Sequence, residues 1–335
     1  MLYWSSITAY DQEKYFCSQV DNGILNVRKQ FLVQDKIKQL LAEIQTGSFR
    51  ALARGITIVE NELPGYHELL ESLNNTQQAK VIGITGPPGA GKSTLVNALL
   101  TFWTCNNKKV AVIAVDPSSP FNYGALLGDR IRMSEFYNND NVFIRSLASR
   151  GALGGLNPKI IEISDLVKNG VFDYILIETV GVGQSEVEIA GLADCTIVAL
   201  VPEAGDEIQT LKAGIMEIAN IFVVNKADRE MADAMYRSLR ILVHEKAVDG
   251  KEIPVVKTIA SKHTGVDELD TAITDFFVNY NKMTDNRLYM LTEKSWQLIQ
   301  AHKMRHTNKA VLRNELSDTM QQPDFNIYKF IKKYI

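Results

Sequence analysis

"VIGITGPPGAGKSTLVNAL" (residues 81–99) is the stretch on which the fold turns. A β-branched apolar run enters a cluster of Gly and Pro, passes Lys92-Ser93-Thr94 and continues with apolar residues at helical spacing. Gly86-Pro87-Pro88-Gly89-Ala90-Gly91-Lys92-Ser93 satisfies the phosphate-loop pattern, with a strand signal before it and a helix signal after it. The residue types have physical reasons. Gly89 and Gly91 let the backbone curl so that successive N–H groups face phosphate oxygens. The following helix adds its positive N-terminal end. Lys92 brings a cation towards the β and γ phosphates, and the Ser93 hydroxyl suits Mg²⁺. Pro87 and Pro88 lack N–H donors but sit early in the loop, and Gly89 through Thr94 keep theirs.

Further apolar, β-branched runs fall at 110–115, 142–146, 174–179, 196–201, 221–225 and 255–259, most of them separated by helical patterns. Runs of this kind read as strands buried on both faces. The spacing predicts an α/β fold: a P-loop NTPase with a mostly parallel sheet flanked by helices, in which ligands bind at the carboxyl ends of the strands. Ahead of it, Val33, Ile37, Leu40, Leu41 and Ile44 recur at helical steps, and "RALARGITIVEN" and "HELLESL" follow breaks. After about residue 280 the chain is long, amphipathic and free of strand runs. The expected division is a helical segment at 1–75, a nucleotide-binding domain at 76–280 and a helical extension at 281–335 that serves dimerisation.

"VVNKAD" ends a strand with Asn225-Lys226-Ala227-Asp228. A carboxylate at Asp228 can accept from guanine N1–H and N2–H together, and adenine offers no such pair. Asn225 can bridge the base side to the phosphate loop, and the stem of Lys226 can lie over the base. A later strand leads into Ala260-Ser261-Lys262, which resembles a turn whose backbone N–H meets guanine O6. In this order the motifs favour GTP over ATP. Glu178 at a strand end is followed by Gly181, Asp116 ends another strand, and Asp129 lies in "LLGDRIRM". Mg²⁺ beside phosphates takes few protein ligands and keeps several waters. Asp116, Asp129 and Glu178 are therefore candidates with Ser93 for the metal, and one of the acids is a candidate for positioning the attacking water.

The chain has 335 residues, 46% hydrophobic and 22% charged, enough for a sizeable core. A formal net charge of −3 gives no electrostatic case for nucleic acid or an anionic membrane. Its three cysteines (Cys17, Cys105, Cys195) are widely spaced, as in a reducing compartment. No apolar run approaches the roughly 20 residues of a membrane span. A cytoplasmic protein is expected.

"GITGPPGAGKST", "IAVDPSSPF", "LLGDRIRM", "ETVGVGQSEVEIAGLAD", "EAGDEIQTLKAGIMEIANIFVVNKAD" and the upstream "RALARGITIVEN" together resemble the methylmalonyl-CoA mutase-associated GTPases, the MeaB/MMAA or ArgK-like branch. The likeness runs from about Val33 to Leu269, with the motifs in order. It implies a GTPase that is usually a homodimer. It also implies a chaperone role toward an adenosylcobalamin-dependent acyl-CoA mutase, in which hydrolysis of GTP to GDP and phosphate controls cofactor loading and protection. The resemblance further implies that Asp116, Asp129 and Glu178 surround Mg²⁺ and water. It makes 117–133, 180–188 and 202–214 mobile segments, the last carrying Lys212 toward the mutase. Some residues depart from the pattern. Residues 1–24 resemble nothing in the family, and the last fifty or so resemble it loosely. Asn122-Tyr123 stands where small residues are usual. Gln184 lies three residues after Gly181 rather than next to it, and Arg130, Arg132, Arg145 and Arg150 are candidate charge donors that read foremost as surface or structural arginines. Slow intrinsic hydrolysis, open to acceleration by a partner, is expected. The alternative is a nickel-insertion GTPase. Of the histidines only His302 and His306 share a helix face, with no cysteine nearby.

Overall fold

A computed structural model describes residues 33–74, 79–116, 133–149, 156–179, 185–202, 215–245, 252–279, 285–304, 307–320 and 325–334. Seven strands form one sheet: β1 (Lys80–Thr85), β2 (Val110–Asp116), β3 (Val142–Ala148), β4 (Tyr174–Glu178), β5 (Cys195–Leu200), β6 (Ile221–Val224) and β7 (Val255–Lys257). Their order is β3-β2-β4-β1-β5-β6-β7, and every pairing is parallel. All seven expected runs are strands. The last is shorter than its apolar run, because the chain turns after Lys257 and Ile259 bridges to Thr264.

Alternate strand positions feed two cores, which is why the runs are apolar on both faces. Ile82, Val112 and Leu176 point to the face covered by α4 (Lys92–Cys105), α8 (Ala232–Glu245) and α9 (Val266–Val278). Val81, Ile113 and Ile177 point to the other. That second face packs against residues 33–45 (α1), α2 (Phe49–Glu60), α3 (Tyr66–Glu71), α5 (Ile160–Val167) and α6 (Ser185–Leu192). The short α7 (Ile215–Ile218) precedes β6.

The helices before β1 follow from local signals. Ser48 caps α2, its Oγ accepting from the Ala51 N–H at 3.2 Å. Buried Leu52, Ile56 and Val59 then place one face of α2 in the core. Two ion pairs fix its far end to the sheet layer. Glu60 meets Arg145 of β3 at 2.8 Å, and Glu62 meets Lys159, just ahead of α5, at 2.6 Å.

The chain divides into two units, Met1–Asn279 and Tyr280–Ile335. The second holds α10 (Asp285–Met304), α11 (Lys309–Thr319) and α12 (Ile327–Ile331). The long amphipathic run is thus two helices. Asn308 starts the second, its Oδ1 accepting from the N–H groups of Ala310 and Val311. Among the described residues no helix is long and apolar enough to cross a membrane.

Candidate nucleotide site

The phosphate-loop residues Gly86 to Gly91 leave the carboxyl end of β1 and enter α4 at Lys92, as the strand-loop-helix pattern expects. Gly89 and Gly91 both have φ of +80°, a left-handed conformation natural to glycine. At Gly91 a Cβ would also stand 2.5 Å from Asn225 Nδ2, so this position admits no side chain. Lys92 is buried, and its Nζ donates to the carbonyls of Gly86 (2.8 Å) and Pro87 (3.0 Å). The ammonium therefore lies across the mouth of the loop rather than out in solvent.

Ser93 and Glu178 are both buried, and the Ser93 Oγ donates to Glu178 Oε1 at 2.7 Å. The first turn of α4 and the end of β4 are thereby joined. One strand away, the Thr179 hydroxyl bonds that of Thr85 at 3.0 Å, tying the end of β4 to the end of β1. A hydroxyl and a carboxylate beside the loop are hard oxygen donors, the type Mg²⁺ takes. Asp116 closes β2 at the same edge of the sheet, but its side chain lies outside the described residues. Asp129 lies outside them too, as do Gly181, Gln184, Arg130, Arg132, Arg150, Lys212 and His306. Arg145 is described and is held by Glu60, in the structural role its sequence context suggested.

Asn225 is the centre of the opposite wall. It follows β6 and is 2% exposed. Its Nδ2 donates to the Ala90 carbonyl at 2.9 Å and lies 3.5 Å from that of Gly91. Its Oδ1 accepts from the Thr258 hydroxyl at 3.1 Å and from the Ala260 N–H at 3.2 Å. One buried amide thus clasps the phosphate loop, the end of β6 and the turn after β7. Lys226 has φ of +54°, and its Nζ donates to the Gly89 carbonyl at 2.7 Å, which stretches its stem along the loop.

Asp228 is exposed, and its Oδ2 accepts from Lys262 Nζ at 3.1 Å. That hydrogen bond holds the Asp228 carboxyl below the ordinary carboxylate range. Ala260–Lys262 form a single 3₁₀ turn. Its amides are divided among partners. Ala260 N–H goes to Asn225, Lys262 N–H to the Ile259 carbonyl at 2.8 Å and His263 N–H to the Ala260 carbonyl at 3.2 Å. No hydrogen bond from the Ser261 N–H accompanies these among the described residues. Thr258 carried no sequence signal beyond being one hydroxyl in an apolar run.

A profile of the family described as "Methylmalonyl Co-A mutase-associated GTPase MeaB" matches residues 52–315. GTPase ArgK of Escherichia coli is 36% identical over 254 residues, covering 72% of this chain and 76% of that one. The mouse protein named methylmalonic aciduria type A homolog, mitochondrial, is 31% identical over 307 residues, covering 82% and 72%. A crystal structure titled LAO/AO transport system kinase shares the fold, with a TM-score of 0.64, 24% identity, and coverage of 86% of this chain and 94% of that one.

Proposed function

The chain belongs to the MeaB family of methylmalonyl-CoA mutase-associated GTPases, and from that premise we propose that its GTP hydrolysis gates the loading of adenosylcobalamin onto an acyl-CoA mutase. As a P-loop GTPase it binds GTP and GDP. The observation that supports the base reading is the Asn225 clasp, which joins the Ala90 carbonyl of the phosphate loop to the Ala260 N–H of the turn that carries Ser261. In this reading Asp228 accepts from guanine N1–H and N2–H, Ser261 N–H donates to O6, and the Lys226 stem covers the base. The family's own description and the mouse relative's name support the mutase, with methylmalonyl-CoA mutase the first choice.

In the proposed reaction a water attacks the γ phosphorus, the bond to the β–γ bridging oxygen breaks, and GDP and phosphate leave. Lys92 turns its ammonium from the loop carbonyls to the phosphoryl oxygens and stabilises the charge that gathers there. The loop amides from Gly89 to Thr94 orient the phosphates. Ser93 and Glu178, with Asp116 and Asp129 as further candidates, would hold Mg²⁺, which would supply positive charge to the phosphates. Glu178 keeps the Ser93 hydroxyl oriented.

The proposed assembly is a homodimer in the cytoplasm, joined through residues 281–335. On α10, Leu288, Trp296 and Ile299 are 66%, 58% and 49% exposed, an apolar set that a second copy would cover.

The test is a loading assay. Apo-mutase is mixed with adenosylcobalamin and this protein, with either GTP or a non-hydrolysable analogue. Holo-mutase should accumulate with GTP and stall with the analogue. Equal loading with both nucleotides would refute gating by hydrolysis.

A further inference from the structure

We infer that Thr258 is a positioning residue for nucleotide binding: its hydroxyl holds the Asn225 amide in the orientation that ties the phosphate loop to the base-side turn. The inference rests on the reading of the nucleotide site given above.

Thr258 lies one residue beyond β7 and is 1% exposed. Its backbone is fixed from both sides. The Thr258 N–H donates to the Val224 carbonyl at 2.9 Å, and its carbonyl accepts from the Ala227 N–H at 3.0 Å. These two bonds bracket Asn225 and leave the Thr258 side chain directly against the amide, where Oγ1 donates to Oδ1 at 3.1 Å.

A carboxamide's oxygen and nitrogen are close in size, so their partners decide which way the group points. Here two donors, the Thr258 hydroxyl and the Ala260 N–H, meet one oxygen. That leaves Nδ2 facing the Ala90 carbonyl at 2.9 Å, in the middle of the phosphate loop. Removing the hydroxyl takes one of two donors from a buried acceptor and loosens the amide. The Ala90 carbonyl then loses a fixed partner, and the loop loses its tether to the end of β6. Because Thr258 acts through Asn225 on the loop, its removal should speed nucleotide release and leave the choice of base to Asp228.

The experiment measures release of a fluorescent GDP from the full-length protein by stopped flow. Thr258→Val keeps the volume and deletes the hydroxyl, whereas Thr258→Ser keeps the hydroxyl and deletes a methyl. Release should be about tenfold faster in Thr258→Val and within about twofold of the parent in Thr258→Ser. A packing role predicts the reverse order. Thr258→Ala carries the same test if valine is not accommodated. Combined with Asn225→Ala, Thr258→Val should add nothing, since both act on one clasp. Parental release rates in both hydroxyl deletions, a serine variant as fast as the valine one, or additive effects in the double variant would overturn the inference. Failure of the unmodified protein to hold GDP would instead overturn the reading of the site.

Discussion

Asp228 and Lys262 come from different turns, one after β6 and one after β7, and meet at 3.1 Å. The hydrogen bond from Lys262 lowers the Asp228 pKa, so the carboxylate stays ionised to a more acidic pH than an isolated one. A depressed carboxylate pKa stabilises the folded state above its unfolded value, and that contribution is lost as pH falls through the lowered one. In the proposed base reading Asp228 accepts from guanine in its ionised form, so guanine binding should follow the same limb. Lys262→Met should therefore move the acid limb of GDP binding to higher pH, read from affinity titrations across mildly acidic buffers. An unchanged limb would show that the pair does not tune the site. Asn225, Asp228 and Lys262 were legible in the sequence because each sits in a short motif whose order and spacing repeat a known chemistry. Thr258 was not. A threonine in an apolar run is an ordinary strand former, and only the fold reveals that its hydroxyl faces Asn225.

The strands were legible as elements because both-face burial demands unbroken apolar runs, which few loops or helices imitate. What the runs could not show is how closely a helix approaches them. Gly83 sits inside β1, where a glycine leaves no side chain to pack. In the fold it is where α6 rests on the strand: a Cβ there would lie 2.5 Å from Ile189 Cγ1 and 3.0 Å from Ala193 Cβ. Ile189 is fully buried, so it has little room to yield. Gly83→Ala should destabilise the protein by about 1–3 kcal/mol, as overpacking does, and lower the midpoint of denaturant unfolding. A parental midpoint would mean that α6 sits less tightly than this contact implies. β7 stops two residues short of its apolar run for a related reason. Thr258 and Ile259 continue the apolar pattern, yet their backbone groups are committed to Val224, Ala227 and Thr264.

At the scale of the molecule, the sheet brings the ends of β1, β4 and β6 to one edge, and the turn after β7 joins them through Asn225. The phosphate loop, the Ser93–Glu178 pair and the Asn225 clasp thus occupy one rim. The first unit ends at Asn279, and strand runs cease in the sequence from about residue 280. The break between α10 and α11 was less legible, since amphipathic spacing persists across it. Under the proposed function this rim hydrolyses GTP under the control of an adenosylcobalamin mutase. No glutamine follows Gly181 directly, and Arg145 is already engaged with Glu60, so unaided turnover should be slow. The direct measurement is steady-state hydrolysis of GTP, and of ATP as control, by the full-length protein with and without the holo-mutase. GTP turnover should be slow alone and rise about tenfold or more with the mutase, with far slower ATP turnover in both cases. GTP turnover indifferent to the mutase, or ATP hydrolysed as fast as GTP, would contradict the proposed function.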